Sequence, residues 1–487
     1  MENTPVQTTG RHRQPRKTSP AATVLRIGAV MCVLLVVGIF AGQSWLHSYI
    51  RSEPFRLRTE AALGKAFHAN AQLSLPQHSS SSLYVDSLTA TGLKADSSRP
   101  DTADARFRSV QMQGVRVELD LMAILQRTWR IGSVSMQRLD LNLDRPAVGT
   151  AQGADQGGSP ASTQVSTARP SASLLSKLLP NRTEIESIKV ERADVSKAGA
   201  TLQKTRLTLK PAGKDWEILA EDGEFTTAAL ALAKPIELKS ANLTVKNGLT
   251  VLKNAHLMFA SGGQSKVTGH WGADGNSEVH ANLENMNIEP FLPTWWQTRF
   301  FGNVDGTLKL IQSTGKQTEL VALLQLKNGR LDSLPLLSEL DAFLGTPRFK
   351  TLPIRSGSLK VHRVGDVTEL KDIQIDADGM LRIEGSITVR EGKLDGALRV
   401  GISPSLTQWL PTGRAKVFEE NRDGFIWTPV HVSGTTNLPQ EDLSKRLVQA
   451  AAGALIDSLQ NIQKNPQNVP NAVKGALDAL KSILPGR

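Results

Sequence analysis

The sequence predicts a mainly β protein: a long antiparallel sheet with one N-terminal transmembrane helix, a few short helices and a C-terminal amphipathic helix. Three observations carry this prediction. About twenty segments of ordinary strand length alternate apolar and polar side chains. Helical periods do not alternate with these strands, as they would in a parallel α/β sheet covered on both faces. Finally, Ile27 to Leu46 is an apolar run free of charge, of about the length a bilayer core requires.

A chain of 487 residues is too long for one ordinary core, so two or three domains are expected. Residues 1–23 are polar and basic, with Pro and Thr, and are expected to be disordered. Residues 24–50 hold the apolar run, with Trp45 suited to its far interface. A basic n-region also precedes a cleaved signal peptide, and Gly42-Gln43-Ser44 resembles a cleavage site. The length of the run favours an uncleaved anchor. Arg11, Arg13, Arg16, Lys17 and Arg26 place the N-terminus in the cytoplasm and the chain beyond residue 50 outside.

An N-terminal β segment spans 51–145. Residues 60–67 suit a short helix, 83–88 and 115–121 alternate as strands, 122–130 is helix-like, and 131–145 returns to strand. Residues 146–172 are Ala, Gly, Ser, Thr, Gln and Pro with almost no large apolar group, which reads as a flexible linker. The main β domain follows over 173–438. It opens on a short helix at 173–180 and continues through strands at 186–195, 201–210, 237–252, 255–260, 265–271, 277–288, 306–311 and 319–331. Turns at Lys246-Asn247-Gly248, Ala273-Asp274-Gly275-Asn276 and Lys327-Asn328-Gly329 contain residues that tolerate positive φ. Helical interruptions are expected near 288–302 and 333–345.

A meander from 357 leads into LRIEGSITVREGKLDGALRVGI, Leu381 to Ile402. Its two halves alternate with period two about a Glu391-Gly392-Lys393 turn, which predicts a hairpin dry on one face. Helices close the chain over 439–487. Leu443, Leu447, Ala451, Leu455, Leu459 and Ile462 recur at helical spacing, and a second helix is expected at 471–484. The first of these either caps the sheet edge or meets a membrane or partner; its weakly basic polar face favours the edge.

With so few helices, the dry faces must be covered by another sheet, by the same sheet curling on itself, or by something that is not protein. A large exposed apolar patch on a soluble domain implies a purpose.

Little chemistry is legible. The formal net charge of +11 is spread along the chain with acids interleaved, and no basic block carries interleaved aromatics, so nucleic-acid binding is disfavoured. The single cysteine, Cys32, excludes an internal disulfide and a cysteine zinc site. None of the nine histidines forms a helical metal pair; His270 and His280 are candidate hairpin neighbours but read better as surface residues. Asp372, Asp376 and Asp378 lack the full calcium loop and read as turn acids. There is no nucleophile elbow, P-loop or dinucleotide fingerprint. No cofactor or metal is expected, and nothing points to an enzyme. The aromatic group Phe291, Trp295, Trp296, Phe300 and Phe301 is either a helix plugging one end of the sheet or a hydrophobic gate.

Four features resemble the AsmA-like family of bacterial envelope proteins. They are the anchor followed by a β-rich body, VRVELDLMAILQRTWRIGSVSMQRLDLNLDR (115–145), LENMNIEPFLPTWWQTRFFGNVDGTLKL (283–310) with its Gly-x-x-x-Gly step, and LKNGRLDSLPLLSELDAFLGTPRF (326–349) with the meander 357–402 and the later WTPVHVSGTTNLPQEDLSKRL (427–447). The resemblance covers most of residues 24–460. It implies a long, curled antiparallel sheet, a β-groove with an apolar inside, held at the inner membrane by one span with its bulk in the periplasm. It further implies phospholipid transport between inner and outer membranes or outer-membrane lipid homeostasis, with phospholipid acyl chains and the inner membrane as partners. The alternative is a non-catalytic assembly or scaffold factor that binds other envelope proteins. Candidate groove-lining residues are Leu381, Ile383, Ile387, Val389, Leu394, Leu398 and Val400; the competing reading is that they fill a β-sandwich core.

Overall fold

The computed structural model describes residues 52–79, 82–93, 107–120, 128–144, 182–228, 232, 234–334, 337–338, 341, 350–407, 417–450 and 452–453. The expected tail, anchor and linker and the helices expected at 173–180 and 471–484 lie outside the described residues. Among the described residues no helix is long and apolar enough to cross a membrane, a statement that does not bear on strands.

Among the described residues, one open sheet holds all 22 strands. After helix α1 (Glu53–Phe67), β1 (Ala69–Leu73) and β2 (Gln77–Ser79) both lie along the outer edge of β3 (Ser82–Gly92). Next come β4 (Ser109–Asp120) and β5 (Thr128–Asn142). Each following strand pairs with the one before it: β6 (Arg182–Lys197), β7 (Ala200–Ala212), β8 (Asp215–Thr227), β9 (Ile236–Lys246) and β10 (Leu249–Met258). The series continues through β11 (Gln264–Trp271), β12 (Ser277–Asn287), β13 (Phe300–Gln312) and β14 (Glu319–Asp332). β15 (Thr351–Ile354) and β16 (Ser356–Val364) lie end to end along β14. β17 (Val367–Ala377), β18 (Leu381–Arg390) and β19 (Lys393–Ile402) form the expected meander. The last full strand is β21 (Phe425–Thr435), beside β19, with β20 (Glu420–Arg422) and β22 (Leu438–Glu441) sharing its far edge.

Four sequence expectations are corrected. β5 and β6 pair in parallel, from Thr128↔Arg182 to Asn142↔Ser196, so the sheet is not antiparallel throughout. Parallel neighbours need a crossover of a dozen or more residues, and the long connection between these strands provides it. The sheet therefore runs on across the 146–172 segment. Thr128–Arg130 is strand, not the end of a helix. Lys327-Asn328-Gly329 is a bulge inside β14, not a turn, with Asn328 at φ 50°. Finally, β8 was not legible as a strand, because Asp222 (φ 53°) and Gly223 break its alternation and Ala220 and Gly223 occupy core-facing positions.

Bulges recur in ladder after ladder, at 253–254, 284–285, 328–329 and 371–372 among other positions. An added residue bends its strand and increases the local twist. Asn285 and Asp372 take the positive φ such sites require.

The outward edges of the long end strands β3 and β21 are covered by short strands and by contacts from the chain's own helices. At the N-terminal edge, the Leu73 N–H donates to Glu60 Oε1 of α1 at 2.7 Å and the Ser87 N–H donates to Ser74 Oγ at 3.0 Å. At the C-terminal edge, the gap between β20 and β22 is filled by the start of helix α3 (443–450). There the His431 N–H donates to Asp442 Oδ1 at 2.8 Å, and Arg446 donates to Thr428 Oγ1 at 3.0 Å and to the Pro429 carbonyl. The expectation that this helix caps the edge describes what is seen.

Candidate functional site

The candidate site is the apolar face of the sheet. Cross-strand registers place one uninterrupted row on that face, from Met136 through Val190, Leu207, Ala220, Ala241 and Ala255 to Val267. The row continues through Ala281, Leu308, Ala322, Val361, Leu370 and Ile387 to Gly396 and Val432. Directly opposed residues share a face, so a fifteen-strand apolar stripe follows from pairing alone. A parallel row holds Leu283, Gly306 and Leu324. Only glycine fits at position 306: a Cβ there would run into the Leu323 carbonyl.

Burial varies along this face. At the N-terminal end Leu83, Val117, Ile131, Val134 and Ile188 are fully buried, in a cluster that includes Leu63 of α1 and is flanked by Phe67. From β8 onward burial toward the short hairpin turns is uneven: Ile218, Leu243, Val267, Val279, Leu308 and Leu310 are half-buried, whereas Val245, Thr250 and Leu252 near the 246–249 turn are buried. The opposite end of the strands is covered. Leu337, Val417, Phe418, Leu443 and Leu447 join Leu352, Ala377, Leu381, Ile402 and Ile426 in a second core.

The predicted lining residues divide accordingly. Registers put Leu381, Ile383, Ile387 and Val389 on one face with Leu394, Leu398 and Val400. Leu381 and Val400 are each 1% exposed and belong to the packed core. Ile383 and Leu398 pack at its margin, and Ile387, Val389 and Leu394 are half-buried beyond it. The half-buried positions of β8–β13 were missed. Outside β8 their alternation was legible, but which strands stand beside one another was not.

The aromatic group is not one helix. A 3₁₀ turn (Glu289–Phe291) and the short α2 (Thr294–Gln297) carry Phe291, Trp295 and Trp296, whereas Phe300 and Phe301 begin β13. Phe291 meets Phe259 edge-on at 5.8 Å, Arg299 lies 4.3 Å over Trp295 and Arg330 lies 4.5 Å over Phe301. An apolar pocket of about 220 Å³ lined by Pro235, Ile236, Phe259 and Pro290 sits beside them. All five aromatics are half-buried and stand at the covered end of the strands.

The other face is polar and laced with ion pairs. Lys309 meets Glu278 at 2.8 Å, Lys266 meets Glu284 at 2.9 Å and Lys371 meets Glu369 at 2.7 Å. His270 and His280 both lie here, and His280 Nε2 is 2.6 Å from Glu278 Oε1. Asp372, Asp376 and Asp378 each pair with a separate base, Lys360, Arg382 and Arg355, and so do not converge. Among the described residues no three His, Cys, Asp or Glu side chains are grouped to hold a metal. A cleft of about 490 Å³ is lined by Gln325, Ser358, Gln374, Asp376, Arg382 and Glu384, with its charges compensated: Arg382 by Asp376 and Glu384 by Arg422.

One titrating device joins three strands. His362 Nε2 lies 3.0 Å from Glu319 Oε1 and Nδ1 lies 3.3 Å from Glu369 Oε2. The hydrogen bond to Glu319, then that to Glu369, raises the imidazole above its ordinary pKa of 6.5. A raised folded-state pKa gives stability that is full below pH 6.5 and is lost as pH rises through the folded value. Melting of the wild type should therefore shift down between pH 6 and 8 relative to His362→Gln, whose profile is flatter there. Parallel profiles would remove this role.

No protein-family model, curated protein or solved structure matches this chain.

Proposed function

We propose that the chain is a membrane-anchored, non-catalytic periplasmic protein that carries phospholipid, with acyl chains lying along a trough on the apolar face. The supporting observation is the stripe from β8 to β19, in which small buried residues such as Ala220, Ala241, Ala255 and Ala322 stand beside half-buried Leu308, Leu370 and Ile387. The recurrent bulges curl the strands around it, and the segments over one strand end cover its lower side. Each CH₂ transferred from water to such a surface gains about 0.8 kcal/mol. Tails need no specific polar contact, which fits the absence of convergent polar groups on this face among the described residues.

Strand spacing of about 4.8 Å gives the stripe from β8 to β19 a length of roughly 50 Å. A hydrocarbon core about 30 Å thick holds two leaflets, so one acyl chain extends roughly 15 Å. About two or three lipids therefore fit in file. The edges of β3 and β21 are covered and only the short strands β1, β2, β20 and β22 lie outermost, which speaks against a scaffold that recruits partners by strand addition.

Mass spectrometry of the full chain purified in mild detergent tests this reading. Phospholipid above one equivalent is expected. Lipid-free protein holding a polypeptide would replace lipid carriage with the assembly-factor role.

A further inference from the structure

The trough is closed at its N-terminal end and along its covered side, which leaves one long side free. That side is a lip of hairpin turns, at 212–215, 246–249, 271–277, 312–319, 364–367 and 390–393. Two large apolar residues exposed in the folded chain stand on it: Leu249, 39% exposed, and Trp271, 37% exposed. Registers set Trp271 on the apolar face beside Thr250 and Ser277, at the margin of the trough. Its indole N–H has no hydrogen-bond partner among the described residues. A ring with an apolar body and a free N–H is stable where hydrocarbon meets water.

The lip is stiff at this point. The Thr314 N–H donates to Asn276 Oδ1 at 3.0 Å, and Asn276 Nδ2 donates to Asp274 Oδ2 at 2.7 Å. Further along, the Gly365 N–H donates to the Thr318 carbonyl at 3.2 Å. Neighbouring hairpins are thus stitched together, and Trp271 is presented from a fixed edge. Charge is balanced: Lys246, for example, faces Asp215 at 3.7 Å.

We propose that this lip docks edge-on to a phospholipid bilayer, with Trp271 and Leu249 at the interface, so that lipid passes sideways between bilayer and trough. The proposal rests on the trough reading but concerns where the trough opens. Balanced charge makes docking nearly independent of anionic lipid, unlike a polybasic contact.

The test uses the full chain in proteoliposomes of unlabelled phosphatidylcholine, mixed with acceptor vesicles of brominated phosphatidylcholine. Tryptophan fluorescence should be quenched by the acceptors, with little change when brominated phosphatidylglycerol is blended in. Trp271→Phe should lose most of the quenching. Leu249→Glu keeps the indole and alters only an exposed position, and should weaken docking. Quenching that is absent in the wild type, or undiminished in Trp271→Phe, overturns the proposal. Bound phospholipid without acceptor quenching removes the docking lip alone. Quenching without bound phospholipid removes the trough reading and keeps the lip.

Discussion

Leu443→Ala is expected to lower stability by about 2–5 kcal/mol, the usual range for truncating a buried leucine, and to make the protein aggregate. Leu443 is 0% exposed, and Leu447, one helical turn on, is 1% exposed. Both sit over Ile402, Ile426 and Val430 in the C-terminal core. Leu443 does more than fill space. It holds the first turn of α3 against β21, where Asp442 accepts from the His431 N–H and Arg446 reaches Thr428 and Pro429. Loosening that turn leaves a stretch of β21 backbone unpaired between β20 and β22. An unpaired stretch of a wide sheet is a template for another chain. Denaturant unfolding together with size-exclusion chromatography checks both parts. Val448→Ala, at a position 40% exposed on the same helix, serves as the control and should stay within about 0.5 kcal/mol of wild type. Equal behaviour of the two variants would show that α3 does not hold the edge.

How much of the fold is legible in the sequence depends on which forces act locally. Alternation in 381–402 revealed a hairpin because burial on one face imposes period two, and the Glu391-Gly392 turn supplies the positive φ that a tight connection needs. The same logic failed at β8. Asp222 and Gly223 belong to a site where strands bend, and a bend breaks the period that identifies a strand. Asn328-Gly329 has turn chemistry, yet its neighbours on both sides go on pairing with β13, so tertiary pairing decides between bulge and turn.

The parallel β5–β6 ladder was illegible for a different reason. Both strands look alike whichever direction they pair, and only the length of the connection allows the parallel choice. The candidate site was half legible. Which residues of β18 and β19 share a face follows from period two, but Leu381 and Val400 are packed while Ile387 and Leu394 are half-open. That difference is set by Val417, Phe418 and α3, which come from elsewhere in the chain.

Two aspartate substitutions on adjacent strands separate a trough from an ordinary sheet surface. Leu310 lies on the apolar face of β13, half-buried, with Val279 and Leu320 as its partners. Leu323 lies on the polar face of β14, opposite Thr307, and is 49% exposed. The same change, leucine to aspartate, thus introduces one charge on either side of the same pair of strands. Neither should unfold the chain, because both side chains keep access to water. In the lipid-loaded state their situations differ. A carboxylate at 310 would have to lose water to hydrocarbon, and burying an unpaired charge costs several kcal/mol even after relaxation. A cost of about 3 kcal/mol is a loss of roughly 10²-fold in affinity. Leu310→Asp should therefore strip bound phospholipid while circular dichroism and melting stay close to wild type, and Ile387→Asp should do the same farther along the stripe. Leu323→Asp should keep its lipid. If Leu310→Asp and Leu323→Asp retain equal phospholipid, the apolar face does not hold the tails.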